Sequence, residues 1–88
     1  MDIRQLFAAN LRRIRHEKGL SQEQLAHDSD VDRAHVSKLE RGIAYVGLEI
    51  IGKFSRVLGV PPDAFLKPVT RRSIKKATEK LPSRSLKR

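Results

Sequence analysis

Between Ser21 and Arg41 two short helical signals stand only three residues apart, and this spacing constrains the fold more than any other feature of the chain. Ser21 and Gln24 match a capping box, in which the hydroxyl accepts from the third helical N–H and the Gln side chain reaches back to the capping residue. A helix is therefore expected over about residues 22–28. Ser29, Asp30 and Val31 make the connection. The Asp32 carboxylate is suited to cap a second helix over residues 33–41, where free N–H groups sit at the positive end of the helix dipole. On that second helix Val36 and Leu39 face the same side as Leu25 and Ala26 of the first. Arg33, Ala34, Ser37, Lys38 and Arg41 occupy the opposite side and leave a polar face for binding.

The flanking segments supply further helices. From Asp2 to Lys18 the residues Ile3, Leu6, Phe7, Leu11 and Ile14 recur at spacings of three and four, which aligns them on one helix face. Gly19, with no Cβ, closes that helix in the left-handed conformation, and Leu20 turns back into the core. Gly42 ends the helix over residues 33–41. A loop over residues 43–47 leads into a fourth helix marked by Leu48, Ile51, Phe54, Ser55 and Leu58, closed by Gly59. Gly52 inside it costs about 1 kcal/mol relative to Ala and is expected to mark close backbone packing. Pro61 and Pro62 start a short fifth helix over residues 63–66, because the first turn has no N–H bond to lose. Thr70 can cap a further helix over residues 70–81, with a thin stripe of Ile74, Ala77 and Leu81, and disorder there fits equally well.

A chain of 88 residues holds one compact domain. Its formal charge of +9 is unevenly spread. Residues 1–66 carry ten Lys or Arg against nine Asp or Glu, a balance of +1, whereas residues 67–88 carry nine against Glu79 alone, a balance of +8. We expect a near-neutral domain at residues 1–67 and a basic tail at 68–88, disordered or weakly helical, that adds sequence-independent attraction to a polyanion. There are no cysteines, and the three histidines lack metal-ligand spacing, so no disulfide, metal or cofactor is expected. No stretch approaches the roughly 20 apolar residues of a membrane span, and no signal core follows a basic start. A cytoplasmic location is expected. No nucleophile, base and acid converge on a motif and no glycine-rich phosphate loop is present, so catalysis is not expected and no residue is nominated as catalytic.

Two short helices joined by a tight turn, the second with a polar outer face, match the unit in which one helix braces another across the DNA major groove. The residues sharpen this. Gly19-Leu20-Ser21-Gln22-Glu23-Gln24-Leu25-Ala26, then Val31-Asp32, then Val36-Ser37-Lys38-Leu39-Glu40-Arg41-Gly42, resemble the Cro and phage-repressor type of helix-turn-helix, the XRE family. The resemblance continues through Leu58-Gly59-Val60 and Phe65-Leu66 and covers about residues 4–66. It implies an all-α, five-helix repressor headpiece whose helix-turn-helix lies at about residues 21–41, with the basic C-terminal tail outside it.

The resemblance also implies roles. Gln22 would bond a DNA phosphate, and Arg33, Ala34, Ser37 and Lys38 would reach base edges. The chemistry agrees: Arg33 and Lys38 can donate to guanine O6 and N7, and the Ala34 methyl can pack on a thymine methyl. His35, Arg41 and Tyr45 are placed beside phosphates, although Ile43, Tyr45 and Val46 make the loop more apolar than is usual in the family. Arg15 and Glu40 would form a partly buried ion pair fixing the recognition helix. The expected function is sequence-specific transcription regulation on double-stranded DNA, by a homodimeric repressor or controller protein. Helices 4 and 5 are the expected dimer surface, with Ile50, Val57, Phe65 or Tyr45 at its apolar centre unless they complete the monomer core. An alternative is an antitoxin-like module whose basic tail engages a protein partner, with DNA binding as autoregulation. A nucleoid or RNA-binding adaptor is a third.

Overall fold

The computed structural model describes residues 2–68, so the helix expected over residues 70–81 and nearly all of the basic tail lie outside the described residues. The described residues form four α-helices and one 3-10 helix, with no strand. They are α1 (Ile3–Glu17), α2 (Gln22–Ser29), α3 (Arg33–Arg41), α4 (Leu48–Leu58) and the 3-10 helix Pro62–Leu66. The fifth element is thus not the α-helix expected from the family resemblance. It has only five residues and opens on Pro62, and its Ala64 N–H bonds the Pro61 carbonyl at 3.0 Å in the tighter i to i+3 pattern.

The core is built from every element. Phe7, Leu11 and Ile14 of α1 meet Leu25 and Ala26 of α2, Val36 and Leu39 of α3, Phe54 and Leu58 of α4, and Phe65 of the 3-10 helix. Phe7 and Phe65 pack as a tilted aromatic pair with ring centroids 5.6 Å apart. Phe65 is wholly buried, so it is unavailable to the dimer centre for which it was a candidate. A polar bond reinforces the pairing of α1 with the 3-10 helix. The fully buried Asn10 donates through Nδ2 to the carbonyls of Phe65 and Lys67, each at 2.8 Å, and its Oδ1 accepts from Arg13.

Three apolar or small residues depart from their expected places. Ile3, at the start of α1, is exposed. Leu48 is 86% exposed because the buried stripe of α4 runs through Ile51, Phe54 and Leu58, and Leu48 sits about 120° around the helix from Phe54. Gly52 is not a close-packing site, since a Cβ built there meets no atom within 4 Å among the described residues. Gly52→Ala is therefore expected to stabilise the protein by about 1 kcal/mol, through helix propensity and reduced freedom of the unfolded chain. A chemical denaturation midpoint that falls on substitution would show a contact that the helix needs Gly to make.

Candidate nucleic-acid interface

The turn between α2 and α3 sets the direction of α3. Ser21 caps α2 with both halves of the capping box in place: its Oγ accepts from the Gln24 N–H, and Gln24 Oε1 accepts from the Ser21 N–H, both at 3.0 Å. At the other end Asp30 takes the left-handed conformation, φ 57°, one that Asp tolerates better than most side chains. The Val31 N–H then bonds the Ala26 carbonyl at 2.9 Å, and Val31 packs against the core. Asp32 stands at the N-cap of α3, but its side chain makes no capping bond. Its carbonyl makes the ordinary first bonds of the helix, accepting from His35 and Val36, so the Asp32 carboxylate acts at this end only through its charge beside the helix dipole.

The far end of α3 is clamped to α1. Arg15 Nε donates to Glu40 Oε2 at 2.6 Å and Arg15 Nη2 donates to Oε1 at 2.9 Å, a forked pair in which both side chains are nearly buried. Arg15 Nη1 also donates to the Leu20 carbonyl, and Arg12 donates to the Glu40 carbonyl. Gly42, φ 76°, closes the helix in the left-handed conformation that L side chains rarely adopt, and a Cβ there would also displace the Gln5 amide.

These anchors leave one face of α3 outward. Arg33, Ala34, Lys38 and Arg41 are exposed, and Ser37 and His35 are half-buried, His35 on the flank. Among the described residues Arg33, Lys38 and Arg41 form no ion pair. The one carboxylate of α3, Glu40, points inward to Arg15, so the charged side chains on the outward face are all cations. Beside it Gln22, at the start of α2, directs Nε2 to Glu40 Oε1 at 3.0 Å. One of the two Nε2 N–H donors is thus used within the protein, which leaves the second, together with the backbone N–H at the first turn of α2, for a phosphate.

Tyr45, 71% exposed, extends the face into the loop after α3, with the Arg4 guanidinium 4.7 Å from its ring centroid. Arg4 in turn meets Asp2, whose carboxyl is held below the usual range by bonds from the Arg4 side chain and then from its backbone N–H. The same bond raises Arg4. Sequence reasoning singled out none of Arg4, Gln5, Asn10 and Arg12. The bonds of Gln5, Asn10 and Arg12 and the ring contact of Arg4 join α1 to residues dozens of positions away, and no local pattern encodes such pairings. No group of His, Asp and Glu is poised for a metal among the described residues, and none of their helices is long and apolar enough to cross a membrane.

Comparison with known proteins agrees with this arrangement. The control protein C.BamHI of Bacillus amyloliquefaciens is 44% identical over 66 residues, which is 74% of this chain and 82% of that one. The hypothetical transcription factor of Neisseria meningitidis serogroup B is 37% identical over 91 aligned positions, covering 96% and 83%. The crystal structure of the hypothetical transcription factor NHTF from Neisseria, 37% identical, superposes with a TM-score of 0.76 over 86% of this chain and 85% of that one. The restriction-modification controller protein C.AhdI of Aeromonas hydrophila is 40% identical, with a TM-score of 0.68 over 70% of this chain and 94% of its own. These names describe regulators and control proteins, not enzymes. The HTH_3 helix-turn-helix model matches residues 11–65, which span α2, the turn and α3 together with the helices that brace them, and the chain belongs to that family.

Proposed function

We propose that this protein is a cytoplasmic, sequence-specific transcriptional regulator of the small repressor or controller type, which lays α3 in the major groove of double-stranded DNA. The observation that carries this reading is the outward face of α3, whose charged side chains are all cations, on a helix fixed at its C-terminal end by the buried Arg15–Glu40 pair. Arg33 and Lys38 are assigned to guanine O6 and N7, Ala34 to a thymine methyl, and Ser37 to either donor or acceptor edges. Arg41, His35 and Tyr45 lie where phosphates pass, and Gln22 contributes its backbone N–H there. The family membership supports DNA binding, and the control proteins among the relatives support a regulatory role.

A single headpiece buries too little DNA to be selective, so we assign a homodimer that reads two half-sites about one helical turn apart. Its surface is assigned to α4 and the 3-10 helix, where Leu48 and Leu66 are exposed and Ile50 and Val57 half-buried. The charge balance of residues 67–88 adds affinity for any DNA through counterion release.

The experiment is an anisotropy titration of the full chain onto its own promoter and onto shuffled DNA of equal length, read for preference and for chains bound per duplex. Preference for the promoter with two chains per duplex is the expected result. Equal affinity for both DNAs would replace sequence-specific regulation with general nucleic-acid binding, and one chain per duplex would remove the dimer.

A further inference from the structure

We propose that Arg4, seated on the ring of Tyr45, is a DNA-phosphate contact that Asp2 holds in check in the free protein. The inference rests on the placement of α3 in the groove given above and adds a residue of α1 to the interface. The loop after α3, residues 43–47, reads Ile-Ala-Tyr-Val-Gly and brings no cation of its own to the DNA backbone it adjoins. The first turn of α1 fills that gap. Arg12 and Arg15 fasten α1 to Glu40 near the end of α3, and Gln5 Nε2 approaches the Gly42 carbonyl at 3.5 Å, which sets the first turn of α1 beside the very end of α3. One residue earlier, the Arg4 guanidinium lies 4.7 Å from the Tyr45 ring centroid. A guanidinium carried on an aromatic face keeps its N–H edge free for a forked anion contact, and the ring restricts where that edge points.

In the free protein the edge is taken by Asp2, with Arg4 Nη2 donating to Asp2 Oδ2 at 2.9 Å. Both groups are partly exposed, and such a pair is held weakly, so an arriving phosphate can displace the carboxylate. Asp2 also caps α1 by accepting from the Arg4 N–H at 2.8 Å. Asp2→Asn keeps a capping acceptor and removes the charge, so the electrostatic role is separable from the structural one.

The test is the same anisotropy titration at several salt concentrations, with Arg4→Ala, Arg4→Lys, Asp2→Asn and the double variant Arg33→Ala, Lys38→Ala. Arg4→Ala is expected to weaken binding to promoter and shuffled DNA alike and to make the slope of log K against log salt shallower by about 0.9 per bound chain. Arg4→Lys is expected to restore the slope, and Asp2→Asn to tighten binding to both DNAs. An unchanged slope for Arg4→Ala, while the double variant loses its promoter preference, overturns the inference and leaves the proposed function standing. An unchanged preference for the double variant overturns the recognition-helix reading instead, and a shallower Arg4→Ala slope still supports the contact. A changed self-association constant for Arg4→Ala at unchanged slope would assign the Arg4–Tyr45 pair to an interface between copies and overturn the inference.

Discussion

Glu40→Ala is expected to lower the melting temperature by at least about 12 °C. Truncation strands the Arg15 guanidinium in the interior and costs about 3–5 kcal/mol. A domain of this size loses about 4–8 °C per kcal/mol. The loss is large because one carboxylate serves three donors: Arg15 Nε at 2.6 Å, Arg15 Nη2 at 2.9 Å and Gln22 Nε2 at 3.0 Å. Glu40→Gln keeps the volume and one acceptor but not the charge, so it is expected to melt between the two. DNA binding should fall with either variant, because α3 is held to α1 through this residue. A Glu40→Ala melt within about 2 °C of the parent, the range of an ordinary surface substitution, would show that the pair contributes nothing to the fold.

The same residue shows how far the sequence could be read. The capping box at Ser21 and Gln24, the apolar spacing of Leu25, Val36 and Leu39, and the stop at Gly42 are all local, and they place α2 and α3 within a residue or so of the structure. Where chain-local chemistry had a competitor, sequence reading fell short. Asp32 looks like a side-chain cap, yet its carboxylate makes no capping bond. Phe65 could be read either as a dimer anchor or as monomer core, and it is core, filling the space beside Phe7. Leu48 fits a helical repeat counted from Ile51 but lies off the stripe that Phe54 and Leu58 define. The third donor to Glu40, Gln22, was legible only as a phosphate ligand, because the bond that occupies its amide crosses from α2 to α3. Asn10 and Arg4 act over still longer separations or through an aromatic face, and neither leaves a spacing signature.

Replacing both Arg33 and Lys38 by Ala is expected to abolish promoter preference while leaving the fold intact. Each bidentate contact to a base edge discriminates by about 1–3 kcal/mol, so the pair accounts for about 2–6 kcal/mol, or about thirty-fold and upward in the ratio of promoter to shuffled affinity. Both residues are exposed and form no ion pair among the described residues, and Ala is a strong helix former, so the melt should stay close to the parent. Residual binding should persist on either DNA, because Arg41, the loop and the basic residues beyond Lys67 are assigned to phosphates, which are the same whatever the sequence. The two losses are thus separable: the ratio reports the recognition face, and the salt slope reports the phosphate contacts. A double variant that keeps the parent's promoter preference would remove Arg33 and Lys38 from base reading and would leave Ala34, Ser37 or the shape of the DNA to supply it.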